Sequence, residues 1–280
     1  MTPSVSTFVK YHGLGNDFVV LDRRADNQDI DAQLTKKLCD RHLGIGADGV
    51  LTILDDAGTP RMVVHNADGS LAEMCGNGLR CVVKHLAEAA PSRPASLRVA
   101  TGAGLLDTAI DYDATGHVSQ VTVAMGPASM KAPILPHGGP FIRQRLEGFD
   151  EMLATAVSMG NPHCVLLDTP PKEAAHLGPA LERHPWFVQR TNVEFVRPRS
   201  AARGGGLEVS VWERGVGLTL ACGTGACAAV VASVLDKRLA ADTWVPVELP
   251  GGVLDINVAA DLSQVWLRGP ATRVFEGRLP

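Results

Sequence analysis

The sequence predicts an α+β protein made of two similar halves. Many short strand-like segments occur with few helical ones, which is not the alternation expected of βαβ units. A cysteine and a glycine-rich turn open a helix twice, at Cys75 and at Cys222, 147 positions apart. The same spacing separates Asn66 from Glu213, so each cysteine follows a polar residue by nine positions. An internal duplication accounts for both spacings, and chance similarity between two glycine-rich turns is the alternative.

Length and composition restrict the class of protein. The chain has 280 residues, of which 45% are hydrophobic and 20% charged, so it can bury a sizeable core. The net charge of −4 and the absence of a basic run argue against a nucleic-acid partner. Residues 1–7 lack the charged and apolar regions of a signal peptide, and the longest apolar run, Ala226–Ala232, is too short to span a bilayer. We therefore expect a soluble, cytoplasmic protein that has no membrane partner.

The first half is predicted to place strands around two helices. The first helix is expected at Asp31–Leu43, with Gly44 ending it. The second is expected at Leu79–Ala90, because apolar residues repeat along one face and Pro91 stops it. The predicted strands are Phe8–Leu21 (two strands around the loop His12–Asp17), Val50–Leu54, Met62–His65, Ser96–Val99, Leu105–Ile110 and Val118–Val123.

The second half repeats this pattern after a segment rich in proline and glycine, Gly126–Pro140. We expect one domain at 1–124 together with 269–280, and the other at 125–268. Helical spacing is loose between Lys172 and His184 and strong after Cys222. The predicted strands are Val157–Met159, Cys164–Leu167, Glu194–Val196, Leu207–Trp212, Val245–Leu249, Val253–Val258 and Gln264–Leu267.

The two cysteines at helix starts suggest acid/base chemistry. Free N–H groups and the helix dipole favour a thiolate and a bound anion at such a position. If the halves face each other across a cleft, the N–H groups of Gly76, Asn77, Gly223 and Thr224 would converge on one carboxylate. Its α-carbon would then lie between two sulfurs, one removing a proton from one face and the other delivering a proton to the opposite face. This geometry predicts stereoinversion of an α-amino acid without pyridoxal phosphate.

The remaining cysteines are expected to be structural. Of the six in the chain, Cys81 and Cys227 fall inside the predicted helices and should pack as small hydrophobic residues. A disulfide framework is not expected in a cytosolic chain of this size. The tight Cys-x2-Cys spacing of zinc sites is absent, so no metal is predicted.

Five ordered motifs, spread over nearly the whole chain, resemble the diaminopimelate epimerase family. They are Lys10–Phe18, Asn66–Arg80, Met159–His163, Arg190–Phe195 and Glu213–Cys227. The resemblance implies a cofactor-independent epimerase that interconverts LL- and meso-2,6-diaminopimelate on the route to lysine and peptidoglycan. It also implies a homodimer, and a pseudo-symmetric fold in which each half is a barrel-like sheet around a central helix.

The resemblance assigns roles residue by residue. It implies that Cys222 accepts the proton of the LL substrate and that Cys75 donates one, while His163 and Glu213 tune the thiol pKa values. Some members have Gln as a substrate contact where this chain has Gly49, so the resemblance does not carry that contact over to this chain. The implied substrate-binding residues are Asn16, Asn66, Gly76, Asn77, Asn161, Asn192, Glu213, Arg214, Gly223 and Thr224.

Without the resemblance, several of these residues have structural interpretations. Asn66 and Asn192 read as ordinary amides at turns or strand ends, and His163 as a donor to a buried carbonyl. Arg80 is expected on the helix surface or in an ion pair between the domains.

Other functions are compatible with the residues alone. A different two-thiol racemase, such as a proline racemase, is the alternative within enzymes, although the several Asn residues and the pair Glu213–Arg214 suit a substrate with a second polar end. A non-catalytic amino-acid-binding protein and a thiol redox protein are the alternatives outside that class.

Overall fold

A computed structural model describes residues 7–131 and 140–279 of the chain. The chain separates into two compact units. Unit 1 combines the residues up to Val123 with those from Gly269 onward, and unit 2 is the continuous segment Ala124–Arg268. Most of the segment Gly126–Pro140 lies outside the described residues. Within 7–131 and 140–279, no helix is long and apolar enough to cross a membrane.

Unit 1 is a mixed sheet with two helices, α1 (Ala32–Cys39) and α2 (Gly76–Ala89). Its strands are hydrogen-bonded in the order β18-β1-β2-β3-β4-β6-β7-β8, and the short β5 also pairs with β4. In the described residues these strands are β1 (Thr7–Gly13), β2 (Asn16–Asp22), β3 (Gly49–Asp56), β4 (Thr59–Asn66), β5 (Leu71–Ala72), β6 (Ser96–Thr101), β7 (Gly104–Tyr112), β8 (Val118–Gly126, running past the end of the unit) and β18 (Thr272–Arg278).

Unit 2 is built in the same way, with helices α3 (Ala174–Glu182) and α4 (Gly223–Leu235). Its strand order is β9-β10-β11-β12-β13-β15-β16-β17, and the short β14 also pairs with β13. In the described residues these strands are β9 (Gln144–Leu146), β10 (Phe149–Ser158), β11 (Pro162–Leu167), β12 (Asn192–Pro198), β13 (Leu207–Glu213), β14 (Gly217–Leu218), β15 (Val245–Leu249), β16 (Gly252–Val258) and β17 (Val265–Gly269).

The strand directions confirm the internal duplication. In both units the second and third strands of the order run antiparallel, the third and fourth run parallel, the fourth and fifth antiparallel, and the fifth and sixth parallel. A helix occupies the parallel crossover from β2 to β3 and likewise from β11 to β12. The repeat is offset by one strand, because β18 supplies to unit 1 what β9 supplies to unit 2.

In each unit the second helix packs against the sheet as its core. The described part of α4 is buried from Gly223 to Ser233 except at Thr224, and it contacts β10 to β13, β15 and β16. A helix that is apolar on every side is stable only when it is enclosed. Small alanines at Ala226, Ala228 and Ala229 let the surrounding strands approach closely. The equivalent helix α2 contacts β1 to β4 and β6.

The structure corrects several predicted boundaries. Helix α1 ends at Cys39, four residues before the predicted end, because the Asp40 side chain accepts the N–H groups of His42 and Leu43 and turns the chain. The loop predicted at His12–Asp17 is a tight hairpin turn at Leu14–Gly15, where both residues have positive φ. The strands that the sequence missed are β5, β9, β14 and β18.

Arg80 was expected on the helix surface or in an ion pair between the domains, and the predicted surface position is wrong. The side chain is fully buried in unit 1. Its Nε donates to Pro270 O at 3.1 Å, Nη2 to Asn77 Oδ1 at 3.1 Å and Nη1 to Gly76 O at 3.4 Å. The guanidinium therefore ties the first turn of α2 to the chain just before β18.

Replacing Arg80 should cost stability. Arg80→Met removes the three hydrogen bonds described above and leaves buried acceptors without donors. We therefore expect the free energy of unfolding to fall by about 3 kcal/mol. Urea unfolding followed by circular dichroism measures this. The matched control is Arg98→Met, because Arg98 pairs with Asp107 on an exposed surface and should change stability by less than about 0.5 kcal/mol. Equal losses in the two variants would contradict the bonding described for Arg80.

Candidate active site

Cys222 is the N-cap residue of α4, as the sequence predicts. Its backbone is extended (φ −114°, ψ 109°), and its Sγ accepts the N–H of Gly225 at 3.4 Å. Thr224 Oγ1 lies 3.6 Å from the same sulfur. A Cβ on Gly225 would lie 2.9 Å from Val211, 3.0 Å from Glu194 Oε1 and 3.3 Å from Cys222 Sγ. Glycine is therefore required there so that the sulfur, the helix start and a carboxyl group can crowd together.

Cys75 caps α2 in the same manner. Its backbone is also extended (φ −142°, ψ 110°), and Sγ accepts the N–H of Gly78 at 3.4 Å. The sulfur also lies 3.9 Å from Asn16 Oδ1, which accepts from Asn77 Nδ2 at 3.2 Å. The structure thus groups Asn16, Cys75 and Asn77, all of which the sequence singled out, around one helix start in unit 1.

Two other positions of unit 1 are less closely joined to this group. The Asn66 side chain is exposed and donates to Ser70 Oγ at 2.9 Å, which closes the turn after β4. Gly49 pairs with Phe18 and Asn66 across the sheet. A Cβ at Gly49 would lie 2.5 Å from the His65 carbonyl oxygen, so a larger residue needs a shift of the β4 backbone.

In unit 2, Asn161 and His163 extend the group around Cys222. Asn161 Nδ2 donates to Thr224 Oγ1 at 3.4 Å, and Asn161 Oδ1 lies 2.9 Å from His163 Nε2. The other ring nitrogen, Nδ1, lies 2.6 Å from Glu194 Oε1. Both His163 and Glu194 are fully buried. The structural interpretation of His163 as a donor to a backbone carbonyl is thus replaced by side-chain partners on both ring nitrogens.

Asn192, Glu213 and Arg214 lie around the end of β13. Asn192 Nδ2 donates to Pro162 O at 2.9 Å, and Asn192 Oδ1 accepts the Arg214 N–H at 2.9 Å. Glu213 Oε1 accepts from Thr219 Oγ1 at 2.5 Å. Asn192 therefore joins the start of β11 to the residue that follows β13, while its own side chain is almost fully buried.

Sequence reasoning did not single out Glu194 and treated it as part of a strand. Its carboxyl group is bound to His163 through Oε1, while Oε2 is buried and has no hydrogen-bond partner among the described residues. Burial raises the pKa of Glu194, although the imidazole of His163 opposes this. The available signal was a carboxylate flanked by apolar residues, with Val193 before it and Phe195 and Val196 after it.

The environment of Cys222 differs from the expectation of a thiolate at a helix start. Burial raises the pKa of the Cys222 thiol well above its usual value, and the carboxyl groups of Glu213 and Glu194 raise it further. The hydrogen bonds from Thr224 and from the Gly225 N–H lower the pKa, but they do not offset burial. The position of Cys222 at a helix start was predicted correctly. The expectation that this position lowers the thiol pKa was wrong, because burial has the larger effect. Ionisation of the Cys222 thiol is therefore disfavoured in this structure.

Removing the carboxylate of Glu213 should make Cys222 more acidic. The variant Glu213→Gln loses a negative charge that disfavours the thiolate, so we expect a lower thiol pKa and faster alkylation of Cys222 by iodoacetamide near pH 8. Peptide mapping by mass spectrometry, over a range of pH on reduced protein, gives the rate at Cys222. The control is Glu208→Gln on the same strand, whose carboxylate binds Arg197 and Arg203. An unchanged or slower rate in Glu213→Gln would contradict this electrostatic account.

Comparison with known proteins places the chain in a defined group. Residues 8–131 and 155–274 match the family model described as diaminopimelate epimerase. The chain is 43% identical over 283 aligned residues to diaminopimelate epimerase of Synechococcus elongatus, with 97% of each chain covered. It is 44% identical to the enzyme of that name from Desulfitobacterium hafniense, again with 97% of each chain covered.

Solved structures share the duplicated fold at low sequence identity. A phenazine biosynthesis protein of the PhzF family from Bacillus anthracis superposes with a TM-score of 0.74 at 14% identity, covering 98% of this chain and 99% of that one. A hydroxyproline epimerase from Agrobacterium vitis superposes with a TM-score of 0.70 at 16% identity, covering 98% and 90%. These likenesses establish the α+β fold of two similar units.

Proposed function

Because the chain belongs to the diaminopimelate epimerase family, we propose that it inverts one α-carbon of 2,6-diaminopimelate, interconverting the LL and meso isomers. The observation that carries this proposal is the identity of more than 40% over nearly the full length of proteins with that name, which includes both cysteine-capped helices. The chain is an isomerase, and we propose that its product enters lysine and peptidoglycan precursor synthesis.

We propose that the two capping thiols are the acid and the base. With the LL substrate, the Cys222 thiolate takes the α-proton and becomes a thiol, while the electron pair left on carbon spreads into the carboxylate. The Cys75 thiol then gives its proton to the opposite face and becomes a thiolate. In the reverse reaction the two sulfurs exchange roles. After a forward turnover, proton exchange with solvent returns Cys222 to the thiolate and Cys75 to the thiol. Each sulfur serves one face because a single base tends to return a proton to the face it came from.

The helix starts supply the groups that stabilise charge on the reacting carboxylate. Gly76, Asn77, Gly223 and Thr224 are the first residues of α2 and α4. Helix N-termini favour bound anions, because their N–H groups and the helix dipole point toward the ligand. Donors fixed before the reaction stabilise the developing negative charge without reorganisation. We propose that these four residues bind the carboxylate at the reacting end.

The rest of the substrate is proposed to meet polar side chains. Asn16, Asn66, Asn161, Asn192, Glu213 and Arg214 are the proposed contacts. Among these residues, the Asn192 side chain already donates to Pro162 O and accepts the Arg214 N–H. It therefore orients Arg214, and its second amide hydrogen is proposed to contact the substrate. The carboxylate of Glu213 and the guanidinium of Arg214 suit the distal ammonium and carboxylate of a diamino diacid.

Incubating the purified protein with LL-diaminopimelate and following the isomer ratio by chiral chromatography tests the proposed activity. We expect the meso isomer to accumulate until the ratio is constant, and the same ratio to be reached from meso substrate. L-Proline in a parallel reaction tests the alternative suggested by the fold shared with hydroxyproline epimerase. Formation of D-proline with no change in diaminopimelate would overturn the proposal.

We further propose that the protein acts in the cytoplasm and that it forms a homodimer. Sedimentation analysis of the purified protein tests the homodimer.

A further inference from the structure

The full burial of the Glu194–His163 pair determines how many protons it holds. Oε1 and Nδ1 are 2.6 Å apart, so one proton lies between them. A buried carboxylate beside a neutral imidazole would be an uncompensated charge, which is costly in a fully buried site. Two neutral arrangements avoid this: an imidazolium with a carboxylate, or a neutral imidazole with a carboxylic acid. In both of them the second ring nitrogen, Nε2, carries a hydrogen.

That hydrogen fixes the orientation of the next side chain. Nε2 of His163 donates to Asn161 Oδ1 at 2.9 Å, so the Asn161 amide group points its Nδ2 the other way. Nδ2 then donates to Thr224 Oγ1 at 3.4 Å. Thr224 accepts from Asn161 in this way, so its hydroxyl hydrogen stays available to Cys222 Sγ, 3.6 Å away. A thiolate can only accept, so the hydroxyl is the donor when Cys222 ionises. Every donor in the chain points toward the sulfur.

We propose that Glu194 is a positioning residue that, through His163, Asn161 and Thr224, directs a hydrogen-bond donor onto the Cys222 sulfur. This proposal rests on the function proposed above for Cys222 and names a residue that the motif comparison did not assign. It gives a specific reason for a carboxyl group between Val193 and Phe195 in the buried part of β12. Among the described residues, the titratable groups that act on the Cys222 sulfur include Glu213 on β13 and Glu194 on β12, and His163 on β11 is bound to Glu194.

Two readings of Glu194 predict opposite effects of removing it. The negative charge of Glu194 disfavours the thiolate, as described above, and acting alone it would make any uncharged replacement lower the pKa of Cys222. Because the Glu194–His163 pair is neutral as a whole, the imidazole weakens this charge effect. As the fixed end of the donor chain, Glu194 favours the thiolate, and a replacement that releases the His163 ring should raise that pKa. Gln differs from Leu here, because a Gln amide can still donate to Nδ1 and keep the hydrogen on Nε2.

The experiment measures alkylation of Cys222 by iodoacetamide against pH in Glu194→Leu, Glu194→Gln and the unmodified chain, with peptide mapping on reduced protein. We expect Glu194→Leu to raise the Cys222 pKa by about one unit and to slow alkylation about tenfold below that pKa. We expect Glu194→Gln to stay close to the unmodified chain. A fall of the pKa in both variants, or no change in Glu194→Leu, would overturn the proposal.

A second variant keeps the test decisive where Glu194→Leu folds poorly. Thr224→Val removes the last donor of the chain while keeping the size of the side chain, so it should slow Cys222 alkylation to a similar degree. In the double variant Glu194→Leu/Thr224→Val the effect should be no larger than in either single one, because both break the same path. Additive effects of the two substitutions on the alkylation rate would show that they act independently, which would contradict the proposed path of hydrogen bonds. Since alkylation is read without substrate, its outcome is separate from that of the epimerase assay.

Discussion

The variants Cys75→Ala and Cys222→Ala should each lose epimerase activity by a factor of about 10²–10⁴, which is the usual contribution of a positioned acid or base. Each sulfur is proposed to serve a different face of the α-carbon, so neither can replace the other. Both residues cap a helix with the sulfur as the acceptor, at 3.4 Å in each case. The initial rate of meso formation from LL substrate measures the loss.

The matched controls for this prediction are Cys81→Ala and Cys227→Ala. These thiols are fully buried further along the same two helices, six residues after Cys75 and five after Cys222, where they pack as small hydrophobic residues as the sequence predicts. They should keep most of the activity and lose some stability. Thermal unfolding separates lost chemistry from lost folding. A Cys75→Ala or Cys222→Ala variant that folds and retains more than about a hundredth of the rate would contradict two-thiol catalysis.

In heavy water, the first meso product formed from LL-diaminopimelate should carry deuterium at the inverted carbon, while recovered LL substrate should carry almost none. Cys222 takes hydrogen from the substrate, and Cys75, already exchanged with solvent, delivers deuterium to the other face. The expected difference in label between the two isomers is therefore nearly complete at low conversion. Mass spectrometry of the separated isomers measures it.

The alternative mechanism has a different isotope pattern. A single base that reaches both faces would return its exchanged proton to either of them. Deuterium would then enter the recovered LL substrate as early as the meso product. Equal early label in both pools would remove the assignment of one sulfur to each face, even if both cysteine variants were inactive.

The sequence predicted the features that depend on local rules. Glycines after a cysteine, followed by a run of helix formers, are a local signal, and both capped helices were found where expected. The repeat of 147 residues predicted the duplication, which the strand orders confirm. The strands with alternating or β-branched sequences were also found, because these patterns are typical of strands.

Features that depend on distant partners were not predictable in the same way. Burial of Arg80 depends on the Pro270 carbonyl, 190 positions away in the chain. The pKa of Cys222 depends on how deeply the fold encloses the sulfur and on carboxyl groups from two other strands. Short strands such as β5 and β14 consist of two residues each, which is too few for a periodic pattern. In each case tertiary packing, which a linear pattern does not contain, decides the outcome.

The offset of the repeat has a consequence for synthesis on the ribosome. One edge of the sheet of unit 1 is β18, which follows all of unit 2 in the chain, whereas unit 2 is a continuous segment. Domains normally fold in the order in which they emerge. Here all the strands of unit 2 are synthesised before unit 1 is complete. One edge of β1 stays unpaired until β18 leaves the exit tunnel.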